Sequence, residues 1–272
     1  AADQRPRGFL FGATAGRTTL SGEGLQHQDG SSHLSAAAIP NCRAYDPCFA
    51  YELAVIVEYG LKRMLDEHRD EFFYITLMNE NYPHPDLPAG TEDGILRGLY
   101  PLSMTQPKRP VQIRLLGAGT ILLQVIEAAE WLTATFDLNV AVYSVTSFSE
   151  LARDAEQAAR EKRLGLNANA ESWLTQHLSD STPIIMATDY VRAVPAQITP
   201  YIQAPVTVLG TDGFGRSANR QALRAFFEVD RAHIALAAVD QLIQQKILSP
   251  ADRKKALKAL AIQAELDPPW HR

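Results

Sequence analysis

Between residues 16 and 33 the chain reads Gly-Arg-Thr-Thr-Leu-Ser-Gly-Glu-Gly-Leu-Gln-His-Gln-Asp-Gly-Ser-Ser-His, and this stretch holds most of its candidate chemistry. His27 and His33 carry imidazoles, the side chains whose charge changes nearest neutral pH and which serve as general acids, bases or metal ligands. Asp29 stands close enough in sequence to orient the His27 ring, and Gly24 and Gly30 permit close backbone approach. The stretch is too polar and too rich in glycine for a core element. Loops of this kind on a rigid scaffold carry binding and catalytic groups, the competing reading being a solvated surface loop. No third ligand at zinc-like spacing joins the two histidines, which points to proton transfer or positioning rather than metal binding.

The elements that must hold this loop follow from patterning. Gly8 to Thr14 predicts a short buried strand feeding the loop, and Leu34 to Asn41 reads as a strand approach ending at a turn. Asp46-Pro47 predicts a helix start, with an acid as N-cap and proline at the first helical position. Behind it Phe49, Leu53, Ile56, Val57, Leu61, Met64 and Leu65 recur at helical spacing. Glu71 to Leu77 is β-rich and empties into the polar stretch from Asn79 to Pro85. Six prolines fall between Pro83 and Pro110, so a boundary is placed there: one domain over 1–95, a linker over 96–110 and a second domain over 111–272. In the second domain, strands are expected at 111–116, 139–144, 182–187 and 206–209. Helices are expected at 121–135, from about 150, and at 220–227, 230–245 and 250–262. Strands alternating with helices of this length imply an α/β fold with a mostly parallel sheet covered by helices, whose ligands meet the loops at the strand C-ends.

A chain of 272 residues with 46% hydrophobic and 21% charged residues is long enough for one large or two ordinary globular domains. Its net charge of −5 argues against a general nucleic-acid or anionic-membrane surface. No apolar run approaches the length of a membrane span. The start, Ala-Ala-Asp-Gln-Arg-Pro-Arg, has neither an initiator Met nor an apolar signal core, and reads as cut from something longer. Cys42 and Cys48 are expected to be free thiols. Gly117-Ala118-Gly119-Thr120 resembles a phosphate loop in form but lacks the third glycine of the dinucleotide fingerprint, so a tight strand-to-helix turn is expected. The run from Gly210 to Ser217 is read as an irregular connection in which Phe214 plugs a pocket and Arg216 pairs an acid, the alternative being Arg216 as an anion holder. The charged segment from Ala152 to Arg163 is expected to be a solvated helix face.

Gly24-Leu25-Gln26-His27-Gln28, followed by His33-Leu34 and Ala38-Ile39-Pro40-Asn41, resembles the corresponding run of transketolase-type enzymes. Leu116 to Thr120, Val145 to Phe148 and Gly210 to Ser217 fall in the order of that superfamily's C-terminal domain. Thr18-Thr19-Leu20, Gly22-Glu23-Gly24, Tyr143 to Phe148, Glu150 to Asp154 and Phe227 to Asp230 are closer to the homodimeric bacterial pyruvate dehydrogenases, the decarboxylating first component of the complex. The resemblance covers essentially the whole chain. It implies the end of a pyrimidine-binding domain for thiamin diphosphate, followed by a transketolase C-terminal-like α/β/α domain. It also implies magnesium, a homodimer, pyruvate and the dihydrolipoyl acetyltransferase component as partners, and a cytoplasmic location. His27 matches the histidine that faces substrate and the thiazolium, and Gln26, Asp29, His33 and Asn79 would lie near substrate or cofactor. Two positions depart from the family: Gln28 stands where an acid is usual, and Ser31 where a histidine is usual. No Gly-Asp-Gly diphosphate and magnesium motif occurs, so this piece alone is not expected to be competent. The competing readings are transketolase, another 2-oxo acid dehydrogenase, or a non-catalytic dimerisation or assembly domain.

Overall fold

A computed structural model describes residues 2–272. Three strands, β1 (Gly8–Ala13), β2 (Cys42–Tyr45) and β3 (Phe72–Leu77), form a parallel sheet in the order β1-β3-β2. Between β1 and β2 lie the long polar loop and a short helix, α1 (Ser32–Ala37), and between β2 and β3 lies α2 (Ala50–Leu61). Ile56 of α2 seals Phe73 and Ile75 of β3, and Gly60 lets the helix approach closely: a Cβ there would sit 2.7 Å from the Phe9 ring. Leu10 and Phe11 on the edge strand β1 are exposed.

After α3 (Glu92–Arg97) the chain builds a second sheet from β4 (Leu99–Met104), β5 (Ile113–Gly117), β6 (Val140–Val145), β7 (Ile184–Ala187) and β8 (Val206–Leu209). Its order is β4-β6-β5-β7-β8, parallel except for β4. The central strands are apolar on both faces, as a sheet covered on both sides requires. On one side α4 (Ile121–Phe136) buries Val125, Ala128 and Leu132 against a later helix that carries Ile234, Ala238 and Leu242. On the other, α5 (Phe148–Arg163) contributes Phe148, Leu151 and Ala155 to a core shared with α6 (Trp173–His177) and α7 (Ala193–Ala196). The chain ends with α8 (Arg220–Phe226), α9 (Arg231–Gln244), which is that later helix, and α10 (Pro250–Ala259).

The α/β class and the mostly parallel second sheet agree with the patterning, and four local expectations do not. Residues 8–13 form a strand, but an edge strand with no buried residue rather than a buried one. Residues 34–37 are helical, not a strand approach: Asp29 Oδ1 accepts the N–H of Ser31 and of Ser32 at 2.9 Å each, starting a helix that the alanines then favour. Asp46 does not cap α2. Its carboxylate takes the Thr76 hydroxyl at 2.7 Å, while Glu52 Oε2 reaches back to the N–H of Cys48 and Phe49 at 2.6 and 2.9 Å, so the helix begins at Ala50. The supposed linker over 96–110 contains all of β4, which pairs antiparallel with β6. Pro101 disguised it, a residue tolerated here because β4 is an edge strand with a register shift between Pro101 and Ser103.

Candidate functional site

The loop after β1 leaves its own sheet and is held by the other one. β7 ends in Thr188-Asp189-Tyr190, and the Asp189 carboxylate, fully buried, accepts from Thr18 N (2.9 Å), Thr18 Oγ1 (2.6 Å), Thr19 N (3.1 Å) and Thr19 Oγ1 (2.8 Å). Gly16 adopts φ +85° immediately beside that carboxylate, where any Cβ would collide with it. Arg17 donates to the carbonyls of Thr211 and Gly213 at 2.5 and 2.6 Å. Gly22 N donates to Ala218 O (3.0 Å), Val191 N to Gly30 O (2.9 Å) and Arg220 Nε to Thr19 O (2.8 Å). The loop therefore rides on the strand C-ends of the second sheet, where such folds present functional groups.

His27 closes a single 3₁₀ turn, Leu25–His27, and its imidazole is exposed. Among the described residues no side-chain or backbone group bonds that ring. Gln26 beside it is also exposed, its amide lying over Gly24. Asp29 does not orient the ring: both carboxylate oxygens are spent on α1, Oδ2 taking the Ser32 hydroxyl. His33 points inward instead. It is buried against Tyr190 and Tyr74, with Nε2 3.1 Å from Thr76 Oγ1, and loss of solvation pushes its pKa down to about 4, so it is neutral at pH 7. Asn79 is exposed, and its Oδ1 accepts from Arg220 Nη2 at 2.9 Å, which ties it through Arg220 to the carbonyl of Thr19. The structure thus separates His27 from His33 and gives Asp29 and Asn79 tethering work.

Residues that sequence reasoning missed lie beneath the loop, where the two sheets abut. Asp46, Glu52 and Asp189 are all fully or nearly buried, and desolvation raises the pKa of each, that of Asp46 to about 8. Glu52 Oε1 accepts the hydroxyls of Tyr100 and Ser144, 2.6 Å each, bonding α2 to β4 and β6. Thr120 Oγ1 lies 2.6 Å from Thr19 Oγ1, and Gly119 (φ +50°) packs directly on the Asp46 carboxyl group, in the expected tight turn from β5 into α4. Among the described residues, Asp46 Oδ2 and the Tyr190 hydroxyl find no hydrogen-bond partner, and both residues line a cavity of about 10 Å³, too small for an organic ligand. Arg153 corrects the picture of α5 as a solvated face: it donates to Cys42 O and Ile39 O, at 2.7 and 2.9 Å, and clamps the first sheet. Phe214 plugs nothing, being 86% exposed, and Arg216 stacks on Phe226 at 4.3 Å rather than pairing an acid. Cys42 and Cys48 are free and buried.

Residues 1–85 match the family model for the pyruvate dehydrogenase E1 component middle domain, and residues 98–230 that for the transketolase-like C-terminal domain. The pyruvate dehydrogenase E1 component of Pseudomonas aeruginosa is 46% identical over 268 residues, covering 97% of this chain and 30% of that protein. The Escherichia coli K12 protein of the same name is 45% identical over 264 residues, covering 96% of this chain and 29% of that protein. This chain is a homologue of pyruvate dehydrogenase E1 components. It spans about 30% of the length of these relatives. Transketolase from Leishmania mexicana superposes with a TM-score of 0.64 over 85% of this chain and 30% of its own, at 18% identity, which carries the fold alone.

The homology implies thiamin diphosphate, and the residues present decide whether this chain alone offers a cradle for its diphosphate and an accompanying metal ion. Among the described residues no three His, Cys, Asp or Glu side chains come together as metal ligands. Two clefts of about 540 and 450 Å³ are lined by arginines and acids together: Arg220 and Arg224, both on Glu80, with Arg231, Glu127 and Asp230 in one, and Arg43, Arg97 and Arg153 with Glu71, Asp93, Glu150 and Asp154 in the other. These residues do not fit a diphosphate with its metal ion. What the chain offers is an imidazole on a braced loop.

Proposed function

We propose that this chain is part of a thiamin diphosphate- and magnesium-dependent pyruvate dehydrogenase E1 component, which decarboxylates pyruvate oxidatively and passes the acetyl unit to lipoyl groups of a dihydrolipoyl acetyltransferase. On this reading it works as part of a homodimer in the cytoplasm. Residues up to about 95 close the pyrimidine-binding domain, and the rest, β4 included, is the transketolase C-terminal-like domain. The observation that carries the reading is the free, exposed His27 ring on a loop braced from below, in a chain 45–46% identical to E1 components over nearly all its length.

The chemistry assigned to this chain is that of His27. Its ring donates a hydrogen bond to the carboxylate or the carbonyl oxygen of the 2-oxo acid and moves a proton at that oxygen as charge develops there. Because no group among the described residues bonds the ring, no such bond has to break before it meets substrate. Thr18, Thr19 and Arg17 hold the loop down, which limits the reorganisation needed at the moment of reaction. In the longer protein that carries the remaining domain, His27→Ala is expected to lower kcat with pyruvate by about 10²–10³-fold, the cost of one such contact. Unchanged turnover would overturn the role.

A further inference from the structure

The strands β2 and β7 run out on either side of the cavity of about 10 Å³, which is lined among others by His33, Asp46, Ser149, Thr188, Tyr190 and Val194. Asp46 follows β2 in the first sheet, and Thr188 and Tyr190 follow β7 in the second, so its walls come from both. Asp46 is 5% exposed and Tyr190 is fully buried. Among the described residues, Asp46 Oδ2 and the Tyr190 hydroxyl find no partner in the protein, whereas folded interiors satisfy nearly all such groups. The other oxygen of Asp46 is engaged. Thr76 donates to Oδ1 at 2.7 Å, and His33 Nε2 stands 3.1 Å from the Thr76 oxygen. Tyr190 also supports the polar loop above: its carbonyl accepts Thr211 N at 2.9 Å, and the next N–H, of Val191, donates to Gly30 O at 2.9 Å.

We propose that this cavity is a binding site for one water molecule, which bonds both Asp46 Oδ2 and the Tyr190 hydroxyl and so bridges the two sheets beneath the polar loop. A buried water needs about 10–15 Å³ and two to four polar partners, and the cavity supplies both. Other occupants fit worse. An organic molecule is too large, and an apolar atom would leave both oxygens unbonded. A metal ion would find a single carboxyl, since among the described residues no three His, Cys, Asp or Glu side chains gather. Loss of solvation raises the Asp46 pKa to about 8, so at pH 7 the carboxyl is protonated. Oδ1 takes the Thr76 proton, which leaves Oδ2 as the O–H. Two O–H donors then meet the two lone pairs of one water, whose own protons are left for acceptors such as Thr188 and Ser149. The site takes no part in the reading of His27 and stands or falls apart from it.

A high-resolution crystal structure of this chain is the direct test. One ordered water within hydrogen-bond distance of both Asp46 Oδ2 and the Tyr190 hydroxyl is expected. An empty cavity, a direct bond between the two groups, or density with the coordination distances of a metal ion would overturn the proposal. Oxygen-17 magnetic relaxation dispersion examines the same site in solution by counting long-lived internal waters. Tyr190→Phe, which removes the hydroxyl alone, is expected to lower that count by a single molecule, and an unchanged count would overturn the bridge. Hydrogen exchange in the same variant should rise in peptides covering 42–48 and 186–194 together, because the bridge joins those segments, and protection unchanged in either would count against it. Should Tyr190→Phe fold poorly, Val194→Ile is the second route. It adds a methylene at the cavity wall and should displace the same water, so a count equal to that of the starting protein would again refute the site.

Discussion

Removing the Asp189 carboxylate should release the whole polar loop from the second sheet. In Asp189→Ala three buried donors, the N–H groups of Thr18 and Thr19 and the Thr18 hydroxyl, now 2.9, 3.1 and 2.6 Å from its oxygens, lose their acceptors. The hydroxyl of Thr19 keeps a partner in Thr120 Oγ1 at 2.6 Å, so it adds little. A buried donor left without a partner costs about 1–3 kcal/mol, which sets the gross loss for the three at about 3–9 kcal/mol. Part of this is returned, because burial already raises the pKa of Asp189 and its charged form is held at a cost. A net loss of about 3 kcal/mol is expected, comparable with a severe core truncation. Asp189→Asn keeps one acceptor oxygen and should lose about half as much. Urea unfolding of the three proteins, with hydrogen exchange on peptides covering 15–31, measures both the cost and where it falls. A loss below about 1 kcal/mol in Asp189→Ala, or exchange that rises elsewhere before it rises in this loop, would refute the reasoning that the loop is pinned from the second domain.

Stability should depend on pH through Asp46. Its folded pKa of about 8 lies above the ordinary 3.8, so between those values the folded state holds a proton that the unfolded chain has released. Stability then falls as pH rises, by up to about 1.4 kcal/mol per unit, and levels off above the folded value. His33 acts with the opposite sign below its ordinary 6.5, since its pKa of about 4 makes the folded state resist protonation, so above pH 6.5 the falling slope comes from Asp46 together with the other buried acids of raised pKa, Glu52 and Asp189. Asp46→Asn, neutral throughout, should reduce the slope of denaturant-derived stability between pH 6.5 and 8, and an unchanged slope would assign it to the other buried acids. Calorimetric titration of this chain with thiamin diphosphate and magnesium should show no tight binding, in keeping with clefts lined by arginines and acids together and the absence of a three-ligand cluster among the described residues. A micromolar dissociation constant would overturn that expectation.

The second domain was legible because its strands are continuous apolar runs and its helices amphipathic, a pattern that survives without knowledge of the neighbours. What failed was decided by partners distant in sequence. Asp46 carries every local mark of a helix cap, yet Thr76 and Gly119 claim it. Glu52 and Asp189 look like any surface acid until the hydroxyls of Tyr100, Ser144, Thr18 and Thr19 close around them. The candidate chemistry was legible in kind, since His27 is where an imidazole would be wanted, but its neighbours were assigned by proximity along the chain. Proximity misled: Asp29 two residues away serves α1, while Arg216, far along the chain, grips the residue beside His27. The physical reason is that a glycine-rich loop has little conformational preference of its own, so its shape is imposed by whatever surface receives it. Here that surface is Asp189, Thr211, Gly213 and Arg216, all in the second domain. A domain that lends the proposed reaction no reacting group thereby sets the position of the one this chain provides.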